Sequence, residues 1–212
     1  MTPKRHPQQE RRAVLRSLVC LPAAASFPCA VFALEQANVH DGPIVPPVTV
    51  PDARLQLADG RRVSLRELLS QKVTALQLVF THCTTTCPMQ AAIFQRVQRL
   101  FPEHVQEGAQ LLSLSIDPAQ DTAAQLRAWL ERFGARQGWV AAVPEAMRLP
   151  QLLQFFGTRA DSFTSHATQV QIIDRHACLM WRTNELPSAQ SVVKLLRAGT
   201  DPSMSRMGSR GS

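Results

Sequence analysis

Between residues 53 and 199, apolar side chains show two patterns. In some segments they form short runs, which are typical of strands, and in others they recur with the period of a helix. A strand is predicted where the apolar run is short and nearly continuous, or where the run flanks a turn such as Asp59-Gly60, a strong hairpin signal. The predicted strands are Arg54–Ala58, Arg61–Ser64, Val73–Phe80, Leu111–Ile116, Trp139–Val143, Thr168–Ile173 and Ala177–Arg182.

Helices are predicted where apolar side chains recur every three or four residues between capping and terminating residues. Ser64 and Glu67 have the spacing of a capping box, and Asp121 stands where an N-cap is expected. The predicted helices are residues 65–69, 88–101, 121–134, 145–156 and 188–199. Because strands alternate with helices and a hairpin and a terminal helix come last, the sequence predicts an α/β sandwich with a central mixed sheet.

Composition and charge narrow the class of protein. The chain has 212 residues, of which 45% are hydrophobic and 18% are charged, which is typical of a globular protein with one domain of ordinary size. The net charge of +7 suggests a nucleic-acid partner. However, five basic residues lie in positions 1–16, whereas residues 40–199 hold 16 basic and 13 acidic residues. The charge belongs mainly to the N-terminal leader, so nucleic-acid binding is not expected.

The first 33 residues have the layout of an export signal: a basic cluster, the uncharged stretch Leu18–Leu34, and small residues before a cleavage point. Val31 and Ala33 predict cleavage after Ala33. Arg11–Arg16 reads RRAVLR and resembles a twin-arginine signal. The alternative is an uncleaved inner-membrane anchor, although Leu18–Leu34 is short for a span and contains two prolines. In either case the body is expected in the periplasm.

The predicted organisation is an export signal over 1–33, a proline-rich lead-in over 34–52, a domain over 53–199 and a disordered tail over 200–212. Cys20 and Cys29 belong to the leader, so three cysteines remain in the body: Cys83, Cys87 and Cys178. Three are too few for a scaffold built on several disulfides. A close pair of cysteines in an oxidising compartment indicates redox or metal chemistry instead.

The cysteine pair lies in FTHCTTTCP, residues 80–88, directly after the most apolar strand and before a helix, where open α/β sheets place their chemistry. Pro88 suits the first helical position, which puts Cys87 near the N-cap, where the helix dipole favours a thiolate. The four-residue spacing brings the sulfurs of Cys83 and Cys87 to one side. Such a pair can close a disulfide or hold a soft metal: two thiolates favour Cu(I), and an added imidazole accommodates Cu(II). His166, just before the strand TQVQII, is the candidate for that imidazole.

Three segments together resemble the Sco/SenC family, thioredoxin-fold proteins that help to assemble the copper centres of respiratory oxidases. The segments are VFTHCTTTCP at 79–88, SIDPAQDT at 115–122 and SHATQVQIID at 165–174. The resemblance covers residues 43–199. The chain departs from the family pattern at Thr84 and Ala123, where the family has proline, and at Arg175–Cys178, where a glycine is common.

The resemblance implies a thioredoxin-like sandwich with an N-terminal hairpin and flanking helices. It also implies that Cys83, Cys87 and His166 are the ligands of one copper ion per chain. The implied partners are an oxidase subunit or another copper enzyme that accepts the copper, and an upstream copper donor or thiol reductant.

The remaining candidate residues have simpler interpretations. His82 is expected to make a local hydrogen bond rather than to serve as an accessory ligand, and Asp117 to hold the site loop by hydrogen bonds. Met89 is expected in the core because of its helical spacing. Cys178 is expected to be buried and inert, with a resolving thiol as the alternative.

Three functions remain open on the sequence alone. The first is a copper-binding assembly protein that delivers copper through Cys83, Cys87 and His166. The second is a thiol–disulfide oxidoreductase that reduces client cysteines through the redox-active pair Cys83 and Cys87. The third is a thiol peroxidase, because Thr81-x-Cys83 after a strand resembles peroxiredoxins, but the sequence locates no activating arginine. The motifs GxGxxG, HExxH and GxSxG and the Walker loop do not occur. The sequence therefore lacks the common signals of nucleotide-binding proteins, zinc proteases and serine hydrolases.

Overall fold

The computed structural model describes residues 41–101, 107–157 and 168–201 of the chain. The predicted export signal with Cys20 and Cys29, the ligand candidate His166 and residues 202–212 of the predicted tail lie outside the described residues. The strands are β1 (Gly42–Thr49), β2 (Arg54–Leu57), β3 (Arg62–Ser64), β4 (Val73–Val79), β5 (Ala109–Ser115), β6 (Trp139–Pro144), β7 (Gln169–Ile173) and β8 (Cys178–Glu185). The helices are α1 (Leu65–Leu69), α2 (Thr86–Leu100), α3 (Ala123–Arg132), α4 (Leu149–Phe155) and α5 (Ala189–Thr200).

The eight strands of the described residues form one mixed sheet in the order β1-β8-β7-β4-β5-β6-β2-β3. The neighbours β4, β5 and β6 run parallel, and the other neighbouring strands run antiparallel. Every residue of β4 and β5 is buried, as their nearly continuous apolar sequences predict. The predicted α/β sandwich, with its mixed sheet and its N-terminal hairpin β2–β3, is confirmed.

Helices cover both faces of the sheet. On one face, α2 and α5 share a core with Val73 and Ala75 of β4. On the other face, α1 and α4 share a core with Leu76 and Leu78 of the same strand. Successive side chains of a strand point to opposite faces, so β4 contributes to both cores. Within the described ranges, no helix has the length and apolar character required to cross a bilayer.

Several element boundaries differ from the sequence prediction. Gly42–Thr49, expected as part of an extended lead-in, is the edge strand β1 and pairs with β8. The helix expected over 145–156 is a turn of 3-10 helix, Ala146–Arg148, followed by α4. Gly199 was expected to end the last helix but lies inside α5, where a Cβ atom would come within 2.8 Å of Val73 Cγ1. Glycine at this position therefore lets α5 lie close against β4.

Candidate metal centre

The cysteine loop lies at the edge of the sheet where the parallel strands β4 and β5 end. These strands are in register, with Val79 of β4 opposite Ser115 of β5. Residues 80–85 follow β4 and residues 116–122 follow β5, so the two loops leave the sheet at the same edge. Loops at the carboxyl ends of parallel strands are where open α/β sheets build their sites.

Cys83 lies just before α2, and its sulfur accepts a hydrogen bond from that helix. The backbone N–H of Cys87 donates to Cys83 Sγ at 3.3 Å, and the hydroxyl oxygens of Thr85 and Thr86 lie 3.8 and 3.7 Å from the same sulfur. Burial raises the pKa of the Cys83 thiol, but these hydrogen bonds, led by the one from the Cys87 N–H, outweigh it and lower the pKa to about 6. Cys83 is therefore mainly a thiolate at neutral pH, and it is only half-buried.

Cys87 has the opposite character. It is the second residue of α2, is 0% exposed and packs in the core between that helix and the sheet. Burial raises the pKa of the Cys87 thiol, and the negative charge of the neighbouring Cys83 sulfur raises it further. The structure thus pairs an accessible thiolate with a buried thiol.

This asymmetry corrects the sequence prediction, which placed the favoured thiolate at Cys87. The helix was expected to begin at Pro88, but α2 begins at Thr86 with Thr85 as its N-cap residue. The sulfur that meets the first backbone N–H groups of the helix is consequently that of Cys83. The Cys87 side chain, already inside the helix, turns into the core.

Asp121 holds the segment in front of Cys83. Its side chain is completely buried and accepts hydrogen bonds from the Thr81 backbone N–H at 3.2 Å, from the Thr81 hydroxyl and from the Ser115 hydroxyl at 2.6 Å. One carboxylate therefore joins the end of β5 to the loop after β4.

A second aspartate, Asp117, faces His82. Asp117 Oδ2 lies 3.2 Å from His82 Nε2, and His82 Nδ1 lies 3.2 Å from the Thr81 hydroxyl oxygen. Both ring nitrogens of His82 are engaged in these local contacts, which confirms the predicted local hydrogen bonding of this residue. The structure also agrees with the predicted role of Asp117 in holding the site loop.

The role of Asp121 was not predicted, because this residue was expected at the N-cap of the following helix. The N-cap of α3 is Thr122, which forms a reciprocal capping box with Gln125. A usable signal was present in the sequence SIDPAQD. It holds two acidic residues directly after a buried strand that neighbours the cysteine-bearing strand.

The two cysteines supply a donor set that fits copper, since paired thiolate sulfurs favour Cu(I). In the part of the chain that the structure describes, no three His, Cys, Asp or Glu side chains are grouped to hold a metal ion. His166 lies outside that part, but the strand that follows it shows where its segment rejoins the sheet. Gln171 of β7 pairs antiparallel with Leu76 of β4, so β7 begins beside the carboxyl end of β4. The chain therefore re-enters the sheet after His166 at the edge where the cysteine loop lies.

Cys178 is not part of this site. Cys178 was expected to be buried, but it is only half-buried at the start of β8. The next residue, Leu179, pairs with Ile173, which pairs in turn with Thr74 near the amino end of β4. The cysteine loop follows the other end of β4, roughly 17 Å away at 3.3 Å per residue. The sheet therefore separates Cys178 from Cys83 and Cys87, and a role as their resolving thiol does not fit the fold.

Met89, expected in the core, is 48% exposed. The reason is the orientation of α2 about its own axis, because its buried face consists of Cys87, Gln90, Ala91, Phe94, Val97 and Gln98. Met89 lies to one side of this face, on the surface of the first turns of the helix.

Comparison with known proteins agrees with the motifs. The SCO1/SenC family model matches residues 49–195. A Stutzerimonas stutzeri protein named for copper binding is 26% identical over 171 residues, which cover 74% of this chain and 81% of that protein.

Solved structures share the fold at low sequence identity. BsSco, a member of the Sco family of cytochrome c oxidase assembly proteins, is similar with a TM-score of 0.63 at 19% identity, over 76% of this chain and 96% of that one. Yeast Sco1 with copper bound gives a TM-score of 0.62 at 13% identity, over 78% of this chain and 97% of that one. The thioredoxin-like sandwich implied by the resemblance is confirmed. Because the family model spans most of the domain and more than half of the sequence, the chain belongs to the SCO1/SenC family.

Proposed function

We propose that the chain is an extracytoplasmic copper-binding chaperone that delivers copper to, or prepares the copper site of, a respiratory cytochrome oxidase. In this proposal Cys83, Cys87 and His166 bind one copper ion. The observation that supports it best is the pair of cysteines after the carboxyl end of β4, where Cys83 is a thiolate and Cys87 a thiol. The chain belongs to the SCO1/SenC family, and its Stutzerimonas stutzeri relative is named for copper binding.

The two thiols make different contributions to copper binding. Metal ligands must be deprotonated. Cys83 is already deprotonated at neutral pH, whereas Cys87 gives up its proton as the ion binds. Since protons compete with the metal for both sulfurs, copper affinity falls as the pH falls. The half-buried position of Cys83 also leaves one ligand within reach of a partner that takes over the ion.

Copper uptake by the reduced full-length chain tests this function directly. Equilibrium dialysis is expected to give one copper per chain, and Cys83→Ala and Cys87→Ala are each expected to abolish tight binding because one thiolate is lost. Cys178→Ala is the matched control, since it removes a thiol from the opposite end of the sheet. Loss of stoichiometric copper in Cys178→Ala, or its retention in Cys87→Ala, would show that the ligand assignment is wrong.

A second candidate function, thiol–disulfide exchange with a client protein, is favoured by the same asymmetry of the pair. Exchange needs an accessible thiolate and a second thiol that resolves the mixed disulfide, which are the properties of Cys83 and Cys87. It does not need His166, whereas stable Cu(II) binding does.

The variant His166→Ala separates the two functions. It is expected to keep Cys83–Cys87 oxidation and reduction, to lose the Cu(II)–thiolate absorption and to leave oxidase activity unrestored in a deletion strain grown at limiting copper. Full rescue by His166→Ala, together with no rescue by Cys87→Ala, would instead establish the oxidoreductase function.

The proposed location rests on the leader. The basic cluster, the uncharged stretch and Val31-x-Ala33 support export and cleavage after Ala33. N-terminal sequencing of the protein from a periplasmic fraction is expected to begin at Leu34. An intact Met1 on protein recovered from the cytoplasm would contradict this location.

A further inference from the structure

Gln90 is a buried polar residue in α2 whose side chain has no hydrogen-bond partner. It belongs to the buried face of the helix and is 1% exposed. Within the described ranges, neither its side-chain nitrogen nor its side-chain oxygen makes a hydrogen bond. Leaving a buried amide unpaired destabilises the fold, and such groups are rare in native proteins. Gln90 therefore calls for an explanation beyond packing.

The position of Gln90 in α2 makes it a neighbour of Cys87. The two residues are three apart, and both belong to the buried face of the helix. Side chains at this spacing have Cβ atoms roughly 5–6 Å apart. The Cα–Cβ bonds of a helix tilt towards its N-terminus, so a long side chain covers the turn that precedes it. The turn that precedes Gln90 is the one that holds Cys87, and the amide can therefore reach this cysteine.

The sulfur of Cys87 needs hydrogen-bond donors when it binds a metal. A thiol sulfur is a weak acceptor, whereas a thiolate, the form that binds a metal, accepts charge-assisted hydrogen bonds that are roughly twice as strong. Cys87 is 0% exposed and packs in a core with Ala91 and Phe94. Because solvent does not reach this sulfur, protein groups must stabilise its negative charge. The unpaired N–H₂ group of Gln90 is a donor of this kind.

We propose that Gln90 is a positioning residue of the copper site, because its amide N–H donates a hydrogen bond to the Cys87 sulfur when that sulfur binds copper. The bond orients the sulfur and stabilises its charge, as the groups behind metal ligands commonly do. The inference rests on the proposed function, in which Cys87 is a copper ligand. It also accounts for the unpaired amide, because the group that Gln90 serves becomes a strong acceptor only with the metal.

Gln98 shows how a glutamine on the same face is paired away from the cysteines. It is 5% exposed, and its side-chain oxygen accepts a hydrogen bond from the backbone N–H of Arg136 at 3.2 Å. Gln98 lies eleven residues after Cys87, roughly 16 Å along the helix at 1.5 Å per residue. Two glutamines on one helix face thus differ in that only the one next to Cys87 lacks a partner among the described residues.

The test compares stability and copper binding in Gln90→Met, which removes the amide but keeps the length of the side chain. In the reduced, copper-free full chain, chemical denaturation is expected to show equal or higher stability, because an apolar group replaces an unpaired amide. Copper affinity, measured by competition with a chromophoric chelator, is expected to fall by about 10- to 100-fold. The Cu(II)–thiolate absorption is expected to move to longer wavelength, because a donor no longer stabilises the sulfur electrons. A role in packing alone would move neither the affinity nor the absorption.

Two further variants separate this role from folding. Gln98→Met is the matched control: it removes an amide that does have a partner, so it is expected to lower stability and to leave copper affinity and absorption unchanged. Gln90→Leu also lacks a donor and is expected to behave as Gln90→Met does. Circular dichroism verifies that the variants fold, and failure of both Gln90 variants to fold would contradict the proposal.

The outcomes distinguish this inference from the proposed function. Tight copper binding in Cys87→Ala would overturn the ligand set, and the role of Gln90 with it. Loss of binding in Cys87→Ala, together with unchanged affinity and absorption in Gln90→Met, would overturn the role of Gln90 alone. Lower stability of copper-free Gln90→Met would also overturn it, because the amide would then have a partner without copper. So would an equal loss of affinity in Gln98→Met, because the effect would then come from a general loosening of α2.

Discussion

A cysteine, a histidine and an aspartate lie at each end of the sheet. At the carboxyl ends of the parallel strands these residues are Cys83, His82 and Asp117, and at the opposite end they are Cys178, His176 and Asp174. The two sets have the same residue types, and both cysteines are half-buried. They differ in what surrounds the sulfur.

At the first end, Cys83 Sγ accepts a hydrogen bond from the backbone N–H of Cys87 in α2. At the second end, the Cys178 thiol donates to the carbonyl of His176 at 3.8 Å and lies 3.7 Å from the Thr49 hydroxyl oxygen. A hydrogen bond that a sulfur accepts stabilises the thiolate, and this lowers the pKa of Cys83. The comparison shows that the direction of the hydrogen bond, and not the residue type, distinguishes the two cysteines.

The aspartates differ in a similar way. Asp174 accepts hydrogen bonds from the backbone N–H groups of His176 and Cys178 at 2.8 and 2.9 Å, and so stabilises the turn in which it lies. At the first end a further aspartate, Asp121, accepts hydrogen bonds from the backbone N–H and the hydroxyl of Thr81, in the loop after another strand. One carboxylate supports a local turn, and the other joins two loops that the fold brings together.

The largest expected effect is on the alkylation rates of the cysteines. With iodoacetamide at pH 7, the reduced protein is expected to react at Cys83 at least about a hundredfold faster than at Cys87, which is buried and has a raised pKa. Because the pKa of Cys83 is lowered, its thiolate persists as the pH falls, so its rate is expected to be constant above pH 7 and to halve near pH 6. Peptide mass spectrometry measures the rate at each cysteine. A midpoint above pH 8 for Cys83, or labelling of Cys178 that is faster than that of Cys83 at pH 6, would contradict the proposed difference between the two ends of the sheet.

A smaller effect is expected from removing one carboxylate at each end. Asp121→Asn places an amide N–H₂ group against hydrogen-bond donors, so it is expected to lower the free energy of unfolding by about 1–3 kcal/mol. It is also expected to move the pH midpoint of the Cys83 alkylation rate. Asp174→Asn is the matched control and is expected to lower stability without moving that midpoint. Chemical denaturation and the alkylation profile measure the two quantities. An unchanged Cys83 profile in Asp121→Asn would mean that this carboxylate only supports the fold.

The smallest effect is expected from a change in packing at the amino end of β4. Gly199→Ala puts a methyl group 2.8 Å from Val73 Cγ1. The resulting overpacking is expected to lower the free energy of unfolding by about 1–3 kcal/mol, whereas the higher helix propensity of alanine raises it by about 1 kcal/mol. Thermal melting is expected to show a small net loss of stability, with unchanged reactivity of Cys83. In Gly108→Ala, the nearest atom would be 3.9 Å away, so no packing loss is expected. A gain in stability for Gly199→Ala would show that α5 can move away from β4 at little cost.

The sequence was most informative where the signal is local. The strands, the hairpin around Asp59-Gly60 and the cap at Ser64 follow from apolar runs and turn residues, and the structure contains all of them. The cysteine motif could also be located from its place between a buried strand and a helix. The start of α2 could not, because Thr84, Thr85 and Thr86 give no clear helix signal before Pro88. Because of this two-residue difference, Cys87 lies inside the helix and Cys83 accepts the hydrogen bond from its first turn. Met89 is exposed for a separate reason, since it lies outside the buried face of α2.

The fold class, the family resemblance and the position of the paired cysteines follow from the sequence alone, because they depend on periodicity and on residues that are close along the chain. Tertiary packing was needed to show which sulfur is the thiolate, that Asp121 supports the loop before Cys83, and that Cys178 lies at the far end of the sheet. Each of these depends on strand register or on the end of a helix. Both are fixed by packing between segments that are distant in sequence, so they cannot be obtained from local patterns.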